Sequence, residues 1–179
     1  MEKPKVVNRT LLYTGYLDVR QDLLQKNDGE QLPYTYYTLP NDAVVILGLT
    51  PDNKFLVTRE YRYPPNATLL GCAGGKLEHG EDPIDGGRRE LLEETGYASD
   101  DIILLGACYP IPALSTQKAH FLLARNVYAH GTQYLDPFEF IKPEIKSKEE
   151  IQEEIRKGTP LDSHLMTALS FYHFSFSDL

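Results

Sequence analysis

The stretch from Gly74 to Tyr97, GGKLEHGEDPIDGGRRELLEETGY, constrains this chain more than any other. Gly74-Gly75 begin a glycine-rich turn that runs through Gly80 to Glu81. Asp82 then reads as a helix N-cap with Pro83 at the first helical position, and Gly96 ends the helix. At helical pitch Glu90, Glu93 and Glu94 share one face, while Ile84, Leu91 and Leu92 turn to other sides and provide surface to bury. Like charges three and four residues apart each cost about 0.2–0.5 kcal/mol, and the negative end of the helix dipole disfavours them further. Stability alone would disperse these carboxylates. A hard divalent cation resolves the conflict, because Mg²⁺ takes carboxylate oxygens and keeps positions for water and phosphate oxygens. Mg²⁺, with Mn²⁺ as substitute, is therefore the expected cofactor.

A second acidic run serves as a control. Glu149, Glu150, Glu153 and Glu154 have similar spacing, but Lys146, Lys148, Arg156 and Lys157 surround them and no glycine turn precedes them. That run is expected to be a solvated helix face. Within the first stretch, Arg89 falls off the carboxylate face by helical phase and is assigned to positioning its neighbours. Gly86 and Gly87 each cost about 1 kcal/mol relative to alanine inside a helix. Gly86, on the acidic side, is read as making room for phosphate, and Gly87 as allowing close helix–sheet packing.

The spacing of Gly75, Glu81, Arg89-Glu90-Leu91, Glu93-Glu94 and Gly96-Tyr97 resembles the signature of the Nudix hydrolases at every fixed position. Tyr97 stands where an aliphatic residue is usual. The resemblance implies hydrolysis of a nucleoside diphosphate linked to another group, on a metal-loaded loop–helix–loop. It implies an α/β fold, an α/β/α sandwich with a mixed sheet, preceded by a small N-terminal antiparallel β-sheet. The expected division is an N-terminal sheet over residues 1–40, which forms a homodimer, and a hydrolase domain over 41–179. Glu94 and Glu90 are the first choices as metal ligands, with Glu93 and the backbone carbonyl of Gly74 next. Glu90 or Glu93 could instead accept a proton from water. Glu81 completes the metal shell through water or orients the helix.

Residues 6 to 39 alternate and are rich in β-branched and aromatic side chains, with Asn27-Asp28-Gly29 as a turn, so they read as a hairpin or small sheet. Tyr34 and Tyr36 on one face and Tyr37 on the other serve either packing or nucleobase stacking. Ala43 to Leu49 is a buried strand, and Phe55 to Tyr61 returns after the Pro51-Asp52-Asn53 turn. Arg59 and Arg62 end that strand and are expected to share a face and point at one anion. Leu69–Cys72 leads the chain to the glycine turn, further strands are expected at Ile102–Tyr109, His120–Val127 and Phe138–Ile141, and helices at about Ser147–Lys157 and Leu161–Phe174.

Several of these features also resemble the ADP-ribose pyrophosphatase branch of that family. Its members carry an arginine-bearing strand like the one containing Arg62 and a proline placed like Pro112, sixteen residues beyond Gly96. Two departures stand out. Gly71, Cys72 and Ala73 replace the branch's frequent Glu-Leu-Pro, and Gln117 stands where a glutamate often acts as base or water-positioner. A neutral amide orients water but does not take its proton. The substrate implied is ADP-ribose or another nucleoside diphosphate sugar. The alternatives are a dinucleoside polyphosphate, a modified nucleoside triphosphate, or a non-catalytic nucleotide-sugar sensor.

A net charge of −8 argues against a broad grip on nucleic acid and makes a bridging metal necessary for anionic substrates. Cys72 and Cys108 have neither metal-site spacing nor the density of a disulfide scaffold and read as reduced core residues. MEKPKVVNRT lacks the apolar core of a signal peptide, and no run approaches a membrane span, so no membrane partner is expected and the cytoplasm is the expected location.

Overall fold

The computed structural model describes residues 3–176, and the chain forms two compact units. The outer limits of the expected domains, at residues 1 and 179, lie outside the described residues. The first unit holds the residues up to Asp42 together with Tyr109–Lys118; the second holds Ala43–Cys108 and the chain from Ala119 onward.

In the first unit, β1 (Lys5–Tyr13), β2 (Asp18–Gln25) and β3 (Gln31–Thr38) form an antiparallel sheet in that order. The Asn27-Asp28-Gly29 turn closes as its composition dictates. Gly29 adopts φ +90° and donates its N–H to Lys26 O, and Glu30 N–H bonds Asp28 Oδ1. Every residue of β1 is exposed. The Tyr109–Lys118 segment joins this sheet, since Tyr37 N–H donates to Leu114 O at 2.8 Å. That pairing links residues far apart in the chain, so local pattern does not reveal it.

The second unit is built on β4 (Ala43–Leu49), β5 (Phe55–Arg62), β6 (Ala67–Gly71) and β7 (Ala73–Lys76). Helix α1 (Pro83–Thr95), β8 (Tyr97–Ala98) and β9 (Asp101–Cys108) follow. Then come β10 (Ala119–Arg125), β11 (Tyr128–Ala129), β12 (Ile141–Lys146), α2 (Lys148–Arg156) and α3 (Ser163–Phe176). The main sheet runs β12-β5-β4-β10-β9, with β4 and β10 parallel and the other pairs antiparallel. β4 and β5 pair only at Gly48-Leu49 with Leu56-Phe55. Beyond that point β6 pairs with β5 and β7 with β4, so the two short strands fill a fork in the sheet.

Both faces of this sheet are covered. On one, Leu91 of α1 packs with Val44, Ile46, Leu56 and Leu122. On the other, Ile151 of α2 and Leu165 and Ala168 of α3 pack with Val45, Leu47, Val57 and Phe121. The period-2 alternation of β4 sends successive side chains to opposite layers, which is why its apolar run is continuous. The mixed-sheet α/β/α architecture expected from the sequence is the one observed.

Three local expectations need correction. Phe138–Phe140 is not strand; the ladder begins at Ile141, after a turn. The second acidic run is not wholly solvated, because Glu154 pairs with Arg59 and Lys146 and bonds the Thr159 hydroxyl at 2.6 Å. Gly86 makes room for side chains and not for phosphate, since a Cβ there would lie 2.4 Å from Leu77 Cδ2. Gly87 does permit close packing: its Cβ would fall 2.2 Å from Leu122 Cδ1. Cys72 and Cys108 are free thiols.

Candidate active site

The acidic helix is built as its ends require. Asp82 accepts the Ile84 N–H at 2.8 Å, Pro83 follows, and Gly96 at φ +73° donates to Leu92 O at 2.8 Å. The last carbonyls of α1 lack helical partners, and a distant loop satisfies them. Gln133 Nε2 donates to Glu94 O at 2.5 Å, and Tyr134 N–H donates to Glu93 O at 2.8 Å. This clamp brings the loop carrying Asp136 and Glu139 onto the carboxylate face.

Strand β7 lies directly against two of the carboxylates. Gly74 sits at φ +155°, where a Cβ would lie 2.3 Å from Val44 O, so only glycine fits. A Cβ on Gly75 would lie 2.5 Å from Glu90 Oε1. The absence of side chains at both positions lets the carboxylates rest directly against the strand backbone. Gly74 N–H donates to Glu94 Oε2 at 2.7 Å.

Glu90 is 8% exposed and Glu94 6%. Burial pushes the Glu94 carboxyl up to about 9; the Gly74 N–H opposes this, and the nearby charges of Glu90, Glu60 and Glu139 add to it. Burial also raises Glu90, with Arg89 opposing. Among the described residues Arg89 is the cation inside the cluster, and here the phase argument fails. Its guanidinium grips Glu81 through two bonds of 3.0 Å and also reaches Glu90 Oε1 at 2.8 Å and Glu93 Oε2 at 3.0 Å. Helical phase places a Cα, whereas an arginine head sits several bonds away from it. The Arg89 hydrogen bonds hold Glu81 below the usual carboxylate range, and Glu81 in turn accepts the Glu78 N–H at 2.8 Å.

The carboxylates of Glu90, Glu93 and Glu94 line a polar cavity of about 180 Å³ together with Arg89, Tyr134, Asp136 and Glu139. Among the described residues no three carboxylate, histidine or cysteine side chains already converge as a ligand cage. Arg89 holds Glu90 and Glu93, Gly74 holds Glu94, and mutual repulsion opposes convergence. The donor set nevertheless fits a hard divalent cation. It is all oxygen, and two carboxylates are buried with their charge incompletely balanced.

The remaining predicted site residues have partners of their own. Arg59 and Arg62 are three apart, so strand alternation separates them. Arg59 pairs with Glu144 at 3.0 Å and with Glu154, which spends its charge on the joint between β5, β12 and α2. Arg62 pairs with Glu60 at 2.7 Å and remains substantially exposed. Tyr34, Tyr36, Pro112 and Gln117 belong to the N-terminal unit. There Tyr34 donates to Ala113 O at 2.5 Å, Tyr36 to Asp22 Oδ2 at 3.4 Å, and Gln117 Nε2 to Asn41 O at 3.0 Å. Pro112 lies in the exposed turn before Leu114.

Sequence reasoning missed Glu60 and Glu139. Glu60 is adjacent to the arginines it singled out, but only the register of β5 turns its carboxylate toward Glu94. Glu139 sits in a loop with no pattern of its own.

Fold and site together define a class: an α/β/α protein whose glycine-flanked acidic helix presents oxygen donors suited to a divalent cation. Comparison with known proteins agrees, since the NUDIX domain profile matches residues 39–169. The chain belongs to the Nudix family of hydrolases. It is 33% identical over 101 residues to an ADP-ribose pyrophosphatase of Bacillus subtilis (strain 168), covering 56% of this chain and 55% of that protein. It thus spans about half the length of that relative. The ADP compounds hydrolase NudE of Escherichia coli (strain K12) is 25% identical over 139 residues, covering 76% of this chain and 74% of NudE. A crystal structure of an ADP compounds hydrolase shares the fold, with a TM-score of 0.87 and 20% identity over 98% of this chain and 95% of that one. No described helix is long and apolar enough to cross a membrane.

Proposed function

We propose that this protein hydrolyses the diphosphate bond of ADP-ribose or a similar nucleoside diphosphate sugar, yielding a nucleoside monophosphate and a sugar phosphate. The observation that carries the reading is the pair of buried carboxylates, Glu90 and Glu94, set against the side-chain-free backbone of Gly74-Gly75. The names of the relatives, ADP-ribose pyrophosphatase and ADP compounds hydrolase, supply the substrate class.

Glu94, Glu90, Glu93 and the Gly74 backbone would hold the divalent cation, most suitably Mg²⁺. When bound, it neutralises phosphoryl oxygens and lowers the pKa of a coordinated water. Arg89 keeps Glu90 and Glu93 oriented and is itself braced by Glu81. Arg62 offers exposed guanidinium donors to the substrate phosphates. Glu139 lines the same cavity, and its Oε2 accepts the Asp136 N–H at 2.9 Å, which fixes the carboxylate in the loop. With Gln117 unable to act as a base, Glu139 takes the proton of the attacking water, and Glu93 remains the alternative acceptor.

The exposed β1-β2-β3 sheet is covered by a second copy of the chain in this reading. Leu11, Leu12, Tyr13 and Leu32 are each more than half exposed, more apolar surface than a lone sheet usually leaves to solvent. The enzyme works in the cytoplasm as a homodimer. Incubation with Mg²⁺ and a panel of nucleotides, with products separated by chromatography, tests the activity. Cleavage of diphosphate sugars that chelator abolishes is expected; absence of cleavage of any of them would refute the assignment.

A further inference from the structure

Beside the acidic cavity lies a second, larger one of about 590 Å³, whose aromatic residues the mechanism above does not use. Glu94 and Glu139 line both cavities, so the two are continuous at the reactive end. Away from that end the walls are aromatic: Tyr61 and Tyr63 come from the end of β5 and the turn after it, Phe138 and Phe140 from the loop before β12. Backbone pairing holds the two walls together. Tyr61 N–H donates to Phe140 O at 3.2 Å, and the two rings meet edge to face with centroids 6.4 Å apart.

Single apolar side chains on a surface are ordinary, but this cluster is not scattered. Tyr63 is 82% exposed and Phe138 90%, and both face one concavity next to the carboxylates. Neither ring contributes to the core. A cavity of this size with mostly apolar walls and a few polar groups at one end has the form of a small-molecule subsite.

We infer that this cavity, walled by Tyr61, Tyr63, Phe138 and Phe140, holds the nucleobase of the substrate. The inference deepens the function proposed above and rests on it. A diphosphate at the acidic cavity leaves two neutral arms, the nucleoside and the sugar. Flat aromatic faces stack on a planar heterocycle, which every base offers. A sugar buried here would meet only the tyrosine hydroxyls among the four rings, one of them already donated to Asn66, so most of its own hydroxyls would go unpaired, and that costs free energy. The charged residues of the lining are Arg62 and Glu60, which pair at 2.7 Å, and the two carboxylates shared with the acidic cavity.

The chain contains no tryptophan, so Phe138→Trp creates a single reporter in the proposed wall. Its high exposure means the substitution leaves the fold intact. Titrating this variant with AMP in Mg²⁺ should quench the indole emission saturably, and adenosine should do the same more weakly. Ribose 5-phosphate should leave the emission unchanged. Adding Tyr63→Ala should weaken the AMP midpoint about tenfold. Equal quenching by ribose 5-phosphate, or none by AMP, overturns the inference. So does loss of the AMP signal through Tyr36→Ala with Tyr63→Ala silent, since the base would then belong with the N-terminal tyrosines. These titrations need no turnover, so they stand apart from the hydrolysis panel. Where the panel finds a substrate, Tyr63→Ala should raise its KM about tenfold with kcat within about twofold; an unchanged KM contradicts the subsite.

Discussion

The Gly74 N–H donates to Glu94 Oε2 across 2.7 Å, joining the fork of the sheet to the last turn of α1. The bond satisfies one oxygen of a carboxylate that is otherwise almost sealed from water. It does not balance the charge: burial and three neighbouring carboxylates still raise the Glu94 carboxyl to about 9. Such a group is costly to the metal-free protein, which makes its replacement informative.

Glu94→Gln keeps the shape and removes the charge. Its kcat should fall by about a thousandfold or more, while its melting temperature in chelator equals or exceeds that of the wild type. Saturating Mg²⁺ at about 100 times its Kd should stabilise the wild type by about 2.7 kcal/mol and the variant by much less. Steady-state kinetics reads the kcat and differential scanning calorimetry with and without Mg²⁺ the stabilities; an equal metal response in both proteins would remove Glu94 from the ligand set.

Glu139→Gln separates proton acceptance from metal holding. A general base contributes about 10²–10⁴-fold, so kcat should drop in that range with little change in KM or in Mg²⁺ stabilisation. Steady-state kinetics decides it, and a kcat close to wild type returns the role to Glu93.

Arg89→Ala should destabilise the fold by about 1–3 kcal/mol. Removing a partner from a buried ion pair usually costs more, but the Arg89 side chain is 26% exposed and solvent screens part of the loss. Urea denaturation measures it. A neutral result would mean that Glu81, Glu90 and Glu93 do not depend on the guanidinium.

Gly87→Ala runs against helix propensity. Alanine gains about 1 kcal/mol in a free helix, yet here its Cβ would lie 2.2 Å from the buried Leu122. Overpacking costs about 1–3 kcal/mol, so a net loss of about 1 kcal/mol is expected in the denaturation midpoint. A gain would show that Leu122 yields freely.

The Thr159 hydroxyl and Lys146 hold the Glu154 carboxyl at about 2, below its ordinary 4.5. A depressed folded pKa stabilises the protein above the unfolded value, and that contribution is lost as pH falls through the folded one. The stability advantage of wild type over Glu154→Gln should therefore shrink between about pH 5 and about pH 2.5. Urea midpoints across that range test it; a constant gap would show that ionisation of Glu154 is not linked to folding.

Much of the site could be read along the chain because it is local. The Asp82 cap, the Gly96 stop and the shared face of Glu90, Glu93 and Glu94 follow from a period of 3.6 residues and from the backbone needs of helix ends. What local spacing could not carry was any side chain whose partner is distant. A shared strand face with Arg62 makes Arg59 a substrate arm on local reading, but Glu144 and Glu154, about ninety residues on, claim its charge. Arg89 was set apart from the carboxylates by phase, although its length lets it reach them.

The sequence alone determined the acidic helix, its caps, the glycine turn before it and the class of fold, since each rests on backbone geometry repeated over neighbouring residues. Which charges meet depends on long-range packing. Glu60 and Glu139 join Glu94 because β5 register and the loop clamped to the carbonyls of Glu93 and Glu94 bring them there. Long-range packing, driven by burial and by unsatisfied helix-end carbonyls, has no periodic trace in the chain.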